Sequence, residues 1–379
     1  MIMDIRDTVI KIDLSAISHN IKTIHELIGA DVAILAVIKA NAYGHGAVQV
    51  AKTFMDAGVT YLGVATLSEA IELRNVYPDC PIFILGHTPD RFADIVVKNR
   101  FTQTVIDYGQ ALALSESALR AGTAAKVHLK VETGLVRLGM RDPDEAIRIC
   151  ALPGLEVEGL FSHLALAGAE NDNMQWRRLC DFSDAMRNSE INFRYIHIAD
   201  SVATVDRPEF RSNMVRPGSL CFGMHSWESD AFVDVRQSIR FETRVTQVHV
   251  LKPGEGAGYE YHWIAPGPGR SLIATLPFGY CDGYPRRLYE RGYVTIRGKK
   301  CPFAGLIGMD QCMVDATAVP DVKQGDRVII YGDGDGDGMS LQEAADLCGT
   351  FKNDIIARLT VRPPREYIHK QPYASPQKK

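Results

Sequence analysis

The chain has 379 residues, 46% of them hydrophobic and 23% charged, and a formal charge of −4, which allows two domains and a sizeable core. That charge excludes an electrostatic footprint for nucleic acid or an anionic membrane, and no apolar run approaches the roughly 20 residues that span a bilayer. The N-terminus lacks the apolar core of a secretory signal, and the eight cysteines form no CxxC pair, so the expectation is a cytoplasmic protein with reduced thiols and no zinc site.

The first strand candidate is 8–12, and a helix-like run of Leu14, Ile17, Ile21, Ile24 and Leu27 follows it. Further strands are predicted at 33–38, 61–65, 82–86, 102–107, 126–131, 156–162, 195–198 and 213–216. Helical spacing at 67–76, 108–121, 142–151 and 173–188 separates several of them. Eight such units in about 200 residues point to an α/β fold, a (β/α)8 TIM-like barrel. The alternative is an open doubly wound sheet, whose dinucleotide-binding form would need a GxGxxG that the first strand lacks. Past about residue 235 the rhythm changes to strands at 240–251, 271–277, 292–298 and 326–331 joined by Pro- and Gly-rich turns. The expected organisation is a barrel over 13–235 and a mainly β domain built from 1–12 and 236–379. The Asp-Gly run from Gly332 to Gly338 imitates a calcium loop, but Ala344 stands where a bidentate Glu is needed, so it reads as a solvated hairpin loop.

The apolar segment Ile34–Ile38 delivers Lys39 to a strand end, followed at once by Ala40-Asn41-Ala42-Tyr43-Gly44-His45-Gly46. Desolvation there lowers the pKa of a lysine and makes it a nucleophile; the same segment is also compatible with an ammonium in water just past the strand. In a barrel the reactive groups come from the C-terminal ends of strands. Those ends carry Lys39, then Lys130 and Arg137, then His163, then His197 and Ser201, and finally Arg216. Each alone has an ordinary structural explanation; their convergence on one face does not.

Val37–Gly46, Lys130-Val131-Glu132-Thr133-Gly134-Leu135-Val136-Arg137-Leu138-Gly139, Val215-Arg216-Pro217-Gly218, Phe278-Gly279-Tyr280-Cys281-Asp282-Gly283-Tyr284 and Gly308-Met309-Asp310-Gln311 together resemble the alanine racemase family. The motifs occur in the family's order and span nearly the whole chain. The resemblance implies a pyridoxal 5′-phosphate (PLP) barrel, a C-terminal β domain and a homodimer with its active sites at the subunit interface. It implies that Lys39 holds PLP and is one base. Tyr43, Ser201, Gly218 and Ser219 would line the phosphate, and Arg216 would face the pyridine nitrogen, with His163 and His197 behind it. A second base on the opposite face would be a tyrosine of the partner subunit, for which Tyr259 is the best match and Tyr261 the rival. Arg137 would bind the substrate carboxylate or the cofactor's O3′, and Lys130 would be a carbamylation candidate supporting it. Met309 and Asp310 would reach the carboxylate from the partner, with Tyr280 nearby.

The match departs from the family pattern at Asp200, usually asparagine, at Glu260, usually glycine, and at Gly308, often cysteine. Val361 stands where some members place a phosphate-binding tyrosine. These changes leave open a racemase of serine or of a broader set of small amino acids. A PLP decarboxylase and a PLP carrier are the remaining alternatives; Arg216 speaks against the first and the extra β domain against the second.

Overall fold

The computed structural model describes residues 6–225, 229, 231, 233–334 and 337–369. Two compact units emerge, one of residues 17–42 and 47–235, the other of residues 1–16, 43–46 and 236–379.

The first unit is a parallel eight-stranded barrel: Ala33–Val37, Tyr61–Val64, Ile82–Ile84, Thr102–Val105, Ala125–Lys130, Leu155–Phe161, Tyr195–His197 and Met214–Val215. Each strand pairs with the next in sequence up to the seventh, and the eighth pairs with the first, Ala33 opposite Met214 and Ile34 opposite Val215. Most strand residues are buried, the polar Thr102, Gln103, Thr104 and His128 among them, because helices cover the outer faces. The helix Leu67–Val76 begins with a capping box, Thr66 accepting from the Glu69 N–H while Glu69 reaches back, and Tyr108–Ala121 is capped by Asp107 and stopped by Gly122 in the left-handed region. The helix foreseen at 173–188 starts earlier and runs Ala169–Asn188.

The seam between the seventh and eighth strands has no registered backbone ladder. One side chain stands in for it. Asn213 accepts the Ile196 N–H at 2.8 Å through Oδ1 and donates Nδ2 to the Arg194 carbonyl at 2.7 Å. The Arg216 N–H completes the seam by donating to the Ala199 carbonyl at 2.9 Å.

In the second unit the opening strand, Val9–Asp13, lies between Ile239–Arg244, antiparallel to it, and Arg365–Ile368, parallel to it. The sheet continues from Ile239–Arg244 through Arg327–Gly332 and Tyr293–Ile296 to Lys299–Pro302. A second sheet orders Gln247–Leu251, Ser271–Leu276 and Cys312–Asp315. The single strand expected at 240–251 is therefore two. The Val245 N–H bonds Asp326 and the Thr246 N–H bonds Thr275, so the chain changes sheets at that pair. Phe241, Phe278, Tyr284, Phe303 and Tyr331 fill the core, with Tyr284 stacked on Tyr331 at 5.4 Å. The helices Leu341–Cys348 and Lys352–Ala357 were not read from the sequence.

The Asp-Gly run is not a hairpin. Tyr331-Gly332 pairs with Met339-Ser340 in parallel, and Arg240 holds Asp333 and Asp337; Asp335 and Gly336 lie outside the described residues. All eight cysteines are unpaired, and among the described residues no helix is long and apolar enough to cross a membrane.

The seam gives a direct test. Asn213→Ala removes two hydrogen bonds, one part-buried and one exposed, and is expected to cost about 1–2 kcal/mol in urea unfolding, whereas Asn188→Ala, exposed at the end of the helix Ala169–Asn188, should cost much less.

Candidate active site

Lys39 leaves the end of the first barrel strand and is followed by a conformation that L-residues avoid. Ala40, Asn41, Ala42 and Tyr43 all have φ near +53°. A left-handed turn costs roughly 1–2 kcal/mol per residue and persists only when its surroundings hold it. Glu69 accepts the Ala40 N–H at 2.7 Å, the Ile38 carbonyl accepts the Ala42 N–H at 2.9 Å, and Asn41 Oδ1 accepts the Ala47 N–H at 2.8 Å. The capping residue of one helix thus also fixes the turn that presents Lys39. The amine opens to solvent, yet the barrel rim around it lowers its pKa by burial, with Arg137 adding to the shift and Glu69 opposing it. Tyr43, at the end of the turn, is half-buried and belongs to the β unit.

Arg216 follows the eighth strand and is buried, with 4% of its surface exposed. Its Nη2 donates to the carbonyls of Ser162 at 2.7 Å and Ile198 at 3.0 Å and meets His163 Nδ1 at 3.1 Å; its Nη1 meets His197 Nδ1 at 2.8 Å. Burial lowers its pKa to about 10, which Asp200 opposes, so it stays charged at neutral pH. A guanidinium has no lone pair to offer, so both histidine Nδ1 atoms must accept. Burial first and the Arg216 charge second hold His163 and His197 well below the ordinary imidazole value, so both rings are neutral. His197 also stacks on Phe161 at 4.8 Å.

Lys130, buried at the end of the fifth strand, approaches the same Phe161 ring as Arg216. Nζ donates to the Val131 carbonyl at 2.9 Å and lies 5.3 Å from the Phe161 ring. Burial, then Arg216, lowers its pKa to about 7. The loop that follows is shaped by Glu132, which accepts the N–H groups of Gly134 at 2.5 Å and Arg137 at 3.2 Å. Arg137 itself is exposed on the rim. Ser201 begins a short helix beneath Asp200, its capping residue, and its hydroxyl accepts the N–H groups of Gly218 at 2.9 Å and Leu220 at 3.3 Å. Burial raises the Asp200 pKa, the Ala203 N–H and Arg216 oppose the rise, and Asp172 adds to it. Ser219 opens the next turn, Ser219–Phe222.

The barrel unit therefore brings Lys39, Lys130, Arg137, His163, His197, Ser201, Arg216, Gly218 and Ser219 to the C-terminal ends of its strands. The β unit holds Tyr259, Tyr280, Met309 and Asp310, all exposed. Gly308 lies beside the Tyr259 ring, where an added methyl group would stand 3.8 Å away. The Gly308 and Met309 carbonyls accept the Tyr280 and Cys281 N–H groups at 3.1 Å each, and Arg362 pairs with Asp310 at 2.8 Å. Tyr261 folds back on its own hairpin, its ring so close to Gly256 that a Cβ there would fall 2.4 Å from it. Glu260 between the two tyrosines has φ +59°, a conformation glycine adopts freely.

The profile of the alanine racemase N-terminal domain matches residues 12–226, and that of the C-terminal domain matches residues 238–367. The chain belongs to the alanine racemase family. Alanine racemase 1 of Caldanaerobacter subterraneus subsp. tengcongensis is 36% identical over 373 residues, covering 96% of both chains. The structure of alanine racemase from Clostridium difficile 630 superposes with a TM-score of 0.91 at 32% identity, covering 97% of each. That of the Bartonella henselae alanine racemase, with covalently bound pyridoxal phosphate, gives 0.83 at 26% identity, covering 96% of this chain and 99% of that one.

Sequence reading missed His128, which lies two residues before Lys130 on the same inward face of the fifth strand and accepts from His197 at 2.9 Å. The period-2 alternation His128, Lys130 was the available signal.

Lys130 makes stability depend on pH. Between its folded pKa of about 7 and about 10.4 in the unfolded chain, only the unfolded state binds this proton, so Lys130 contributes a rise in stability with pH across that window, by up to about 1.4 kcal/mol per unit. The buried thiols of Cys80, Cys150 and Cys301, pushed up to about 11, contribute a fall above about pH 8.5. The Lys130 contribution is therefore read as the difference between wild type and Lys130→Met, which should grow with pH in urea unfolding from pH 7 to 10 in CO2-free buffer.

Proposed function

We propose that this chain interconverts L- and D-alanine with PLP, using Lys39 and Tyr259 of the partner subunit as bases on opposite faces of the substrate. The observation that carries this reading is the joint presence, at one end of one barrel, of a lysine with a depressed pKa and a buried donor-only guanidinium flanked by two neutral histidines. The donor set suits PLP: an amine for its aldehyde, a guanidinium for its ring nitrogen, and for its phosphate the Ser201 hydroxyl, which keeps its own hydrogen to donate while its oxygen accepts the Gly218 and Leu220 N–H groups. When bound, PLP supplies an electron sink that acidifies the substrate's Cα–H.

Each residue then has a task. Lys39 holds the cofactor and takes or returns the Cα proton on its own face. Arg216 would donate to the ring nitrogen without transferring its proton, a contact that suits a weak electron sink and would limit side reactions. Ser201 and Ser219, and the turn they share with Gly218, would hold the phosphate with hydrogen bonds that do not neutralise it, the role also proposed for the Tyr43 hydroxyl. Arg137 binds the substrate carboxylate or the cofactor's O3′. Lys130, with much of its amine neutral near pH 7, adds CO2 with loss of a proton and becomes an anion facing Arg137.

Proton transfer on the second face needs a second base, because one side chain cannot reach both faces of a fixed carbon. Tyr259 is 70% exposed beside Met309 and Asp310, as a residue offered to another subunit would be. His163 accepts from Arg216 through Nδ1, so its ring proton is on Nε2, available to stabilise a tyrosine phenolate. Tyr280 borders the same surface. Tyr261 is the weaker candidate because its ring is packed on Gly256.

A broader range of small amino acids is the second reading. It is favoured by the departures from the family pattern at Gly308, which faces the Tyr259 ring without a side chain, and at Val361, which is exposed and has no hydroxyl to offer.

Deuterium wash-in with a chiral readout tests the function. With PLP in D2O the protein should invert L-alanine with Cα exchange, as a homodimer of the 41.9 kDa chain in light scattering. Lys39→Ala should abolish exchange. Tyr259→Phe should slow proton removal from one enantiomer roughly 10²–10⁴-fold more than from the other. Exchange with retention only, or inversion of serine far ahead of alanine, would contradict the reading.

A further inference from the structure

The hydrogen bonds that start at Arg216 continue past His197 into the barrel. Because Arg216 fixes His197 Nδ1 as an acceptor, the proton of neutral His197 is on Nε2. Nε2 lies 2.9 Å from His128 Nδ1, which must then accept. The His128 proton is left on Nε2, and that atom has no partner among the described residues. The chain has one direction, from the charge inward, and every ring in it is neutral; burial, then Arg216, hold the His128 pKa at about 3.

The barrel is built to accept this ring. His128 is fully buried, edge-on to Phe83 at 4.7 Å and stacked near Tyr195 at 5.9 Å. On the adjacent strand a Cβ at Gly159 would stand 2.4 Å from His128 Nδ1, so only glycine lets the ring reach His197. A leucine or phenylalanine would pack here without an orphaned N–H, and leaving such a group unmade is costly. The one thing a histidine adds at this place is the acceptor facing His197.

We propose that His128 is a positioning residue that, through His197, holds the Arg216 guanidinium in place opposite the cofactor ring. The proposal rests on the reading of Arg216 given above. Without the acceptor, His197 keeps a buried unpaired N–H, its ring is free to turn, and Arg216 loses one of its four fixed contacts. The bonds to Ser162 and Ile198 remain, so Arg216 stays in the barrel but is held less firmly.

The test compares His128→Leu, which removes the acceptor, with His128→Asn, whose amide oxygen can occupy the place of Nδ1. In the PLP-loaded protein, His128→Leu should lower kcat about 10- to 100-fold with KM nearly unchanged, as loss of an orienting partner does elsewhere. It should also shift the absorption band of bound PLP. His128→Asn should recover most of the rate and the wild-type band. Nitrogen-15 spectra of histidine-labelled wild-type protein should show His197 neutral with its proton on Nε2. Equal impairment of both variants, an unaltered rate and band in His128→Leu, or a His197 proton on Nδ1 would overturn the proposal. The spectrum and the PLP band do not depend on which amino acid is turned over. A failed alanine assay with both as expected therefore counts against the proposed substrate and not against His128. If the Leu variant does not fold, the wild-type spectrum and the Asn variant decide.

Discussion

A guanidinium buried inside a barrel is the constraint on which the rest of the site depends. Arg216 cannot shed its proton and cannot accept a hydrogen bond, so everything touching it must be an acceptor. Two carbonyls and two imidazole lone pairs meet that demand. Burial keeps the histidines neutral and the Arg216 charge adds to it, their tautomers follow without further choice, and the same charge helps burial push Lys130 toward about 7. Burial sets the direction of these shifts, and the charge of one residue reinforces each of them. A ring nitrogen placed against such a donor can only accept, which is the condition that keeps an electron sink weak.

The second constraint is mechanical. Lys39 is presented by a strained left-handed turn held by Glu69 and Asn41. Strain of this kind is kept where position matters more than local stability. Glu69 serves both the turn and the cap of the helix after the second strand, which ties the amine to the barrel's rigid framework.

Much of this was legible in the sequence because the relevant chemistry sits at strand ends, and strand ends are set by runs of apolar residues. Lys39, Lys130, His163, His197 and Arg216 could each be placed from the strand before it. What escaped did so for physical reasons. His128 lies inside a strand, and its alternation with Lys126 and Lys130 gives a face but no sign of its partner 69 positions away. The sheet change at Val245–Thr246 is marked by no turn residue, and only the burial shows it: Phe241–Thr243 are buried whereas none of Gln247–Leu251 is. The parallel pairing across the Asp-Gly run depends on Arg240, far off in sequence. The left-handed turn falls on Ala-Asn-Ala-Tyr, of which only asparagine favours that conformation.

The central claim is that one lysine, at the end of the first barrel strand, is where the cofactor is held. Borohydride reduction of the PLP-loaded protein, followed by peptide mass spectrometry, tests it most directly. The account predicts a single pyridoxyl-modified peptide, the one containing Lys39, and none in Lys39→Ala. Modification at Lys130 or at surface lysines with Lys39 untouched would contradict it.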